Sequence, residues 1–264
     1  MKHLSDSEIW SFEAQAIHTK DYVKDYMNAL QLVLPSHDAK ILDTAAGVGF
    51  PTEDLYVSGY HNITSLDGDS ESAAYSIRIF AEKNIPISVA VGKWQALSQN
   101  VHDTYDVLVN LDNSLVYMDG WSGAGSMTEG TEAVFGRFRI VLREFLAVVK
   151  PGGRVILGLG KHYEPTHQGI PEGGGSKDNK VVPFDLVRDG EPVKMTWHIH
   201  RDWNKRHHDS RAVVEAEDFS GDILRIAYLI TKDELMMLMK EVGFSQVHLL
   251  IPDGTRDNLI IGIK

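Results

Sequence analysis

The stretch Ile41-Leu42-Asp43-Thr44-Ala45-Ala46-Gly47-Val48-Gly49-Phe50-Pro51-Thr52 decides how the rest of the chain is read. An apolar run ends on a carboxylate and breaks into two glycines one residue apart, the pattern of a strand feeding a tight turn and then a helix. Gly47 and Gly49 have no Cβ, so the backbone there can pass close to a ligand at the strand's carboxyl end. Pro51 suits the first turn of the following helix, where its missing N–H goes unused. The next apolar run, Ile63-Thr64-Ser65-Leu66-Asp67, reads as a second strand that also ends on a carboxylate. Together they form a βαβ unit with acceptors beside the glycine turn, where ribose hydroxyls need them.

Two ligand classes fit such a unit, dinucleotides and S-adenosylmethionine. The dinucleotide fingerprint wants a third small residue three positions beyond the second glycine, and position 52 is Thr. A carboxylate at Asp43 would also repel a pyrophosphate. The sequence therefore favours S-adenosylmethionine.

Composition narrows the function classes. At 264 residues the chain is long enough for one large α/β domain with an insertion, or for two small domains. Lys and Arg number 26 against 37 Asp and Glu, a net charge of −11, which argues against a protein that grips a nucleic-acid backbone. There is no cysteine, which excludes disulfides, thiolate metal sites and a cysteine nucleophile. The opening Met1-Lys2-His3-Leu4-Ser5-Asp6 is not a basic region followed by an apolar stretch, and no run approaches a membrane span. The expectation is a cytoplasmic protein that binds no membrane, with homo-oligomerisation left open.

Further segments resemble, in order, the motifs of class I S-adenosylmethionine-dependent methyltransferases. The stretch 41–52 is similar to their first motif, and Asp67 to the acidic residue that binds both ribose hydroxyls. Val91-Gly92-Lys93-Trp94-Gln95-Ala96-Leu97 occupies the place of the adenine-binding segment, where the glycine/sarcosine N-methyltransferase branch has an Asn-Trp pair. Tyr105-Asp106-Val107-Leu108-Val109-Asn110-Leu111-Asp112-Asn113-Ser114-Leu115 resembles strand four and the turn after it in that branch, with Asp112 and Leu115 departing from the pattern. Leu142–Leu157, with Lys150-Pro151-Gly152-Gly153-Arg154, resembles the helix, Pro-Gly-Gly turn and fifth strand of the superfamily. The resemblance implies a cofactor, S-adenosyl-L-methionine, held by Asp43, Ala45, Gly47, Gly49, Asp67, Gly68, Lys93, Trp94, Asn110 and Asp112. The residues themselves allow Trp94 to stack on adenine or to sit in the core, and Asn113 to position a reactant or to cap a turn.

Outside this frame lie two additions. Ser11–Leu34 carries apolar residues at helical spacing, so residues 1–38 are expected to form a helical cap. After strand five, Lys161-His162-Tyr163-Glu164 resembles the Arg-Asn-Tyr-Asp-like stretch whose arginine binds the substrate carboxylate in the glycine branch. Lys161, His162 and Tyr163 join Asn113 as the expected catalytic group, although lysine is a point charge and lacks the bidentate fork of arginine. A glycine-rich loop at 169–176 follows, then alternating strands Val181–Val187, Val193–Arg201, Val213–Phe219 and Ile223–Leu229, with turns at Asp189-Gly190 and Ser220-Gly221-Asp222. This reads as an antiparallel lid. His198, His200, His207 and His208 invite a metal reading, but histidines two apart on a strand recur often, and no metal site is expected. A second loop, Asp119–Ser126 with Trp121, falls beside the expected acceptor pocket. Thr231-Lys232-Asp233-Glu234 is a capping box that opens the helix Leu235–Val242, and strands Gln246–Ile251 and Asn258–Ile263 follow.

The fold class expected is α/β, a Rossmann-like seven-stranded methyltransferase sheet with an inserted antiparallel β lid. The cofactor-binding domain is expected at 1–160 and 231–264, and the lid at 161–230. The expected function is methyl transfer from S-adenosylmethionine to a small-molecule acceptor, most simply the amine nitrogen of a glycine-like or other small metabolite. The alternatives are O-methylation, a non-methylating enzyme that uses S-adenosylmethionine, and a binding protein without turnover.

Overall fold

A computed structural model describes residues 2–119, 130–161, 177–188 and 190–264. In chain order the elements are β1 (Lys2–His3), α1 (Asp6–Ile17), α2 (Lys20–Val33), β2 (Ile41–Asp43), α3 (Thr52–Val57), β3 (Ile63–Asp67), α4 (Ser70–Glu82), β4 (Val89–Val91), α5 (Leu97–Asn100) and β5 (Tyr105–Asn110). They continue with α6 (Thr131–Val148), β6 (Val149–Gly160), β7 (Lys177–Arg188), β8 (Glu191–Asp202), β9 (His207–Glu215), β10 (Phe219–Tyr228), α7 (Lys232–Val242), β11 (Gln246–Leu250) and β12 (Asp257–Ile263). The chain divides into two units. One holds Met1–Thr19, Val116–Val134 and Pro165–Leu229, the other Lys20–Leu115, Phe135–Glu164 and Ile230–Lys264.

The second unit is built on a seven-stranded sheet in the order β11-β12-β6-β5-β2-β3-β4. The strands from β6 to β4 run parallel, and β12 and β11 add antiparallel pairs at one edge. Strands covered on both faces read as continuous apolar runs, and Leu42, Leu66, Val107, Leu108, Val109, Ile156 and Leu157 are all buried. On α6, Phe138, Val141, Leu142 and Phe145 fall at i, i+3, i+4 and i+7 and are fully buried. From β2 the chain winds outward through β3 and β4, then returns to place β5 on the other side of β2. That reversal makes the carboxyl ends of β2 and β5 the topological switch point of the sheet, where α/β sheets bind ligands. The expected α/β sheet is thus the observed one. Thr231 and Glu234 form the expected capping box, and Gly243 closes α7 in the left-handed region at φ 114°.

Two local expectations are corrected here. Pro51 is the N-cap of α3 and not its first helical residue. Pro151-Gly152-Gly153 lies within β6 as an irregularity: Tyr105 pairs with Val149, and the register resumes at Val107 and Arg154.

The first unit is a five-stranded sheet in the order β1-β10-β9-β8-β7, antiparallel except for the short β1 beside β10. Its core joins Leu4, Ile9 and Phe12 to Val193, Met195, Trp197, Ala212, Val214, Phe219 and Ile223. Residues 1–38 therefore serve two units, α1 packing on this sheet and α2 lying in the other unit. A second capping box, Ser5 with Glu8, starts α1 at Asp6, ahead of the helical spacing noticed from Ser11. The strands at 207–228 also differ from expectation. Ser220-Gly221-Asp222 is strand, and the reversal falls at 216–218, where the Ala216 amide donates to the Phe219 carbonyl. Gly221 serves close packing: a Cβ there would lie 2.9 Å from Leu4 Cβ and 3.1 Å from Ile9 Cδ1. The loop 120–129, with Trp121, and the glycine-rich loop 169–176 lie outside the described residues. No described helix is long and apolar enough to cross a membrane.

Candidate functional site

The carboxyl ends of β2, β3 and β5 bring most of the expected cofactor residues together. Asp43 ends β2 with no exposed surface. Its Oδ1 accepts the Ala45 N–H at 3.0 Å, and its Oδ2 accepts the hydroxyls of Thr52 at 2.6 Å and Ser65 at 3.2 Å. The side chain therefore faces inward and braces the glycine turn from beneath, and its distance from ligand contact is set by those three bonds. Thr52, whose identity spoke against a dinucleotide fingerprint, is its closest partner.

Burial pushes the Asp43 carboxyl up to about 6; the bonds from Thr52, Ala45 and Ser65 counter the shift, and the charge of Asp67 adds to it. The folded value lies above the unfolded one, near 3.9. The contribution of this group to stability is therefore fully present below about pH 4 and is lost as pH rises through about 6. In Asp43→Asn, the amide keeps an acceptor for Ala45 and offers a donor to the two hydroxyls. Urea unfolding of this variant is expected to show a flatter pH profile between pH 4.5 and 7.5. The slope removed is on the order of 2–3 kcal/mol across that interval. A variant with the parental slope would refute the assignment.

Above this brace, Gly47 (φ 49°) and Gly49 (φ 108°) carry the turn in the left-handed region. The Gly47 N–H donates to Asp67 Oδ2 at 2.9 Å, and the Gly47 carbonyl accepts the Ser76 hydroxyl at 2.6 Å. Asp67 Oδ1 accepts the Asp69 N–H at 2.9 Å. Each Asp67 oxygen thus makes one backbone bond and keeps a second lone pair for a ligand hydroxyl. Burial raises the Asp67 carboxyl from its ordinary value; the N–H groups of Asp69 and Gly47 and the charge of Lys93 act against that rise, and the charge of Asp69 adds to it. Gly68 follows directly, with the Lys93 side chain lying over it.

Trp94 is half-buried. Its Nε1 donates to the Thr44 carbonyl at 2.6 Å, and its ring meets Phe145 edge-on at 6.3 Å. The indole is therefore fixed at the mouth of β2, packed on one side and presented on the other.

At the end of β5, Asn110 has no exposed surface, and its Nδ2 donates to the Thr44 hydroxyl at 3.0 Å. Its Oδ1 is buried and has no hydrogen-bond partner among the described residues. An unpaired buried amide oxygen costs about 1–3 kcal/mol, so a donor belongs beside it. The next residues turn sharply, with Asp112 at φ 52° and Asn113 at φ 59°, a region that Asp and Asn tolerate better than most residues. Asp112 Oδ1 accepts the Tyr22 hydroxyl at 3.4 Å, and the Tyr26 hydroxyl donates to Asp257 Oδ2 at 3.1 Å. Burial, reinforced by these carboxylates, raises both phenols, so they act as neutral donors. Tyr22, Tyr26 and Phe50 pack as an aromatic cluster with centroids 5.3–6.4 Å apart. Tyr22 and Tyr26 lie four apart on one face of α2, and nothing local in the sequence signals their carboxylate partners.

Of the expected catalytic group, Asn113 and Lys161 fall within the described residues. Asn113 Oδ1 accepts the Gly160 N–H at 3.1 Å and ties the turn to the end of β6. Lys161 donates its ammonium to the carbonyls of Pro252 at 2.6 Å and Thr255 at 3.0 Å, within the β11–β12 connection. His162 and Tyr163 lie outside the described residues. Among the described residues no group of three His, Asp or Glu side chains is placed to hold a metal. In the antiparallel unit, His200 Nδ1 pairs with Asn179 Oδ1 at 2.6 Å, and the Arg201 Nε–H donates to His208 Nδ1 at 3.2 Å.

No protein-family model and no curated protein matches the chain. Solved structures do. DesVI of Streptomyces venezuelae aligns over 98% of both chains with a TM-score of 0.69 at 17% identity. A sugar N-methyltransferase from a Streptoalloteichus species aligns over 96% of this chain and 90% of its own, with a TM-score of 0.65 at 13% identity. An amino pentose methyltransferase from Micromonospora echinaspora, bound to S-adenosylmethionine and involved in calicheamicin biosynthesis, aligns over 96% and 94%, with a TM-score of 0.64 at 15% identity. At such identities the likeness is one of fold, and the chain has the Rossmann-like architecture of S-adenosylmethionine-dependent methyltransferases.

Proposed function

We propose that the protein is an S-adenosylmethionine-dependent methyltransferase that acts on an amine nitrogen of a small molecule, an amino sugar being the class best supported. The observation that carries this reading is the set of acceptors at the carboxyl ends of β3 and β5. They are the Asp67 carboxylate and the buried, unpaired Asn110 oxygen, separated by the glycine turn. These residues fit the cofactor: it carries donor groups along its length, a ribose diol for Asp67 and an ammonium for Asn110, and a flat base for the exposed side of Trp94. When bound, the sulfonium supplies an activated methyl carbon.

The chain's own work is then alignment. Asp67 holds the diol, the Gly47–Gly49 turn lets the backbone approach, and Trp94 walls the base. The reacting nitrogen must be unprotonated and in line with the methyl group, with water excluded. The carboxylates Asp112, just past the end of β5, and Asp257, at the start of β12, suit an amine acceptor. A glycine-like acceptor would want a free cation for its carboxylate. Lys161, the cation proposed from sequence, gives two of its three donors to backbone carbonyls, which weakens the support for such an acceptor. The solved structures of like fold include a sugar N-methyltransferase and an amino pentose methyltransferase, which supports an uncharged sugar scaffold around the amine.

Mass spectrometry after incubation with S-adenosylmethionine and a panel of amino sugars, glycine, sarcosine and phenols tests this. The expected result is the gain of one methyl on an amino sugar nitrogen. Methylation confined to phenols, or cofactor binding with no methylated product, would overturn the amine assignment.

A further inference from the structure

The Asn110 amide has an acceptor at one end and donors at the other, and only the oxygen suits an ammonium. Its side chain has no exposed surface, and neither has that of Thr44, the residue after β2. The Thr44 hydroxyl settles which end faces outward. It donates to the Val109 carbonyl at 3.1 Å, the same carbonyl that takes the Thr44 backbone N–H at 3.0 Å. A hydroxyl has one proton to give. With that proton committed to Val109, Thr44 Oγ1 can only accept, and Asn110 meets it with Nδ2 at 3.0 Å. Turning the amide over would draw the hydroxyl proton to Asn110 Oδ1 and leave the Thr44 and Val109 oxygens 3.1 Å apart with no proton between them. The Asn110 oxygen is thereby kept at the other end, where it has no hydrogen-bond partner among the described residues.

We propose that Thr44 is a positioning residue: its hydroxyl fixes the orientation of the Asn110 amide, so that the oxygen and not the NH2 meets the ammonium of the cofactor's methionyl arm. This rests on the methyltransferase reading for the identity of the ligand, but the orientation of the amide is a property of the free protein. An aliphatic residue at 44 would suit the end of a buried strand equally well and would leave the amide nitrogen without this acceptor. The nucleoside end of the site does not depend on the hydroxyl. Trp94 Nε1 donates to the Thr44 backbone carbonyl at 2.6 Å, and Asp67 is held by the N–H groups of Gly47 and Asp69. Replacing the Thr44 side chain therefore disturbs one arm of the site and spares the other.

The test uses Thr44→Val, Thr44→Ser and Asn110→Ala with two ligands. S-adenosylhomocysteine carries the amino-acid arm, and 5′-methylthioadenosine keeps the ribose and the base without it. By calorimetric titration, Thr44→Val should bind S-adenosylhomocysteine about tenfold more weakly than the parent and methylthioadenosine equally well. Thr44→Ser, which keeps the hydroxyl, should stay near the parent for both. Adding Thr44→Val to Asn110→Ala should cost no further affinity for S-adenosylhomocysteine. Parental binding by Thr44→Val, equal losses for the two ligands, or full additivity with Asn110→Ala would each overturn the proposal. If the parent chain binds neither ligand, the methyltransferase reading fails instead, and proton NMR of the free protein still decides the orientation. The side-chain NH2 signal of Asn110, assigned through Asn110→Ala, should move upfield in Thr44→Val on losing its acceptor and hold its place in Thr44→Ser. An unmoved signal in Thr44→Val would show that the hydroxyl does not fix the amide.

Discussion

Asp67→Ala is expected to abolish binding of S-adenosylmethionine and S-adenosylhomocysteine while leaving the protein folded. The carboxylate stands at the carboxyl end of β3, with one backbone N–H on each oxygen and a lone pair to spare on each. Two charge-assisted bonds to a diol, at about 1.5–3 kcal/mol each, set the loss at roughly a hundredfold or more in affinity. Asp67→Asn should also be severe, because its NH2 must face either the Gly47 or the Asp69 N–H and so meets a donor with a donor. Asp69 provides the control. Its Oδ1 accepts the Ser72 N–H at 2.8 Å as the N-cap of α4, so Asp69→Ala should cost about 1 kcal/mol of stability and leave affinity within a few-fold. Calorimetry on the three variants separates the roles, and Asp67→Ala binding at the parental level would exclude Asp67 from the ribose site.

The same strand ends show which parts of the site a sequence can disclose. Asp67 and the glycine turn are legible because their roles follow from local geometry: a carboxylate at a strand's carboxyl edge and glycines where the backbone must turn left-handed. Asp43 lies in the same motif, but whether its side chain faces a ligand or the interior depends on Thr52 and Ser65, one on a helix and one on the neighbouring strand. Lys161 is a clearer case. Its carbonyl partners lie more than ninety residues downstream in an edge connection, and no spacing rule links them. Asn110, the last residue of β5, enters the site only through the resemblance. That its oxygen is the unpaired one follows only from Thr44 taking the amide nitrogen.

The fold divides along similar lines. Parallel strands covered on both faces announce themselves as apolar runs, so β2 and β3 are readable to within a residue or two, while the bounds of the partly exposed β4 and of β6, which begins ahead of the Pro-Gly-Gly segment, are not. The antiparallel strands were readable in number but not in register, because Ser220-Gly221-Asp222 has the composition of a turn. Gly221 is there to admit Leu4 and Ile9, residues more than two hundred positions away. An amphipathic helix likewise says that it needs a partner and not which one, so the assignment of α1 to the antiparallel sheet is a tertiary fact.

That assignment has a single strong dependence. Glu13 on α1 and Arg225 on β10 form an ion pair at 1% and 2% exposure, and the Arg225 guanidinium lies 5.2 Å from the centroid of the Trp10 ring. Glu13→Ala would leave a buried guanidinium without the carboxylate it is bonded to, a change that costs about 3–5 kcal/mol. A loss of that size is comparable to the burial of one or two of the apolar side chains α1 places on the sheet, so α1 should open from it far more often. Hydrogen exchange should then accelerate in α1 and in β8, β9 and β10, while amides of β2, β5 and β6, which belong to the other unit's core, keep their protection. The pair itself need not be a net source of stability, because desolvating two charges offsets most of their attraction. Combining Glu13→Leu with Arg225→Met should therefore recover most of the loss, where either change alone does not. If the double variant is as unstable as Glu13→Ala, the pair is needed in its own right, and the geometry it imposes on α1 is what the unit depends on.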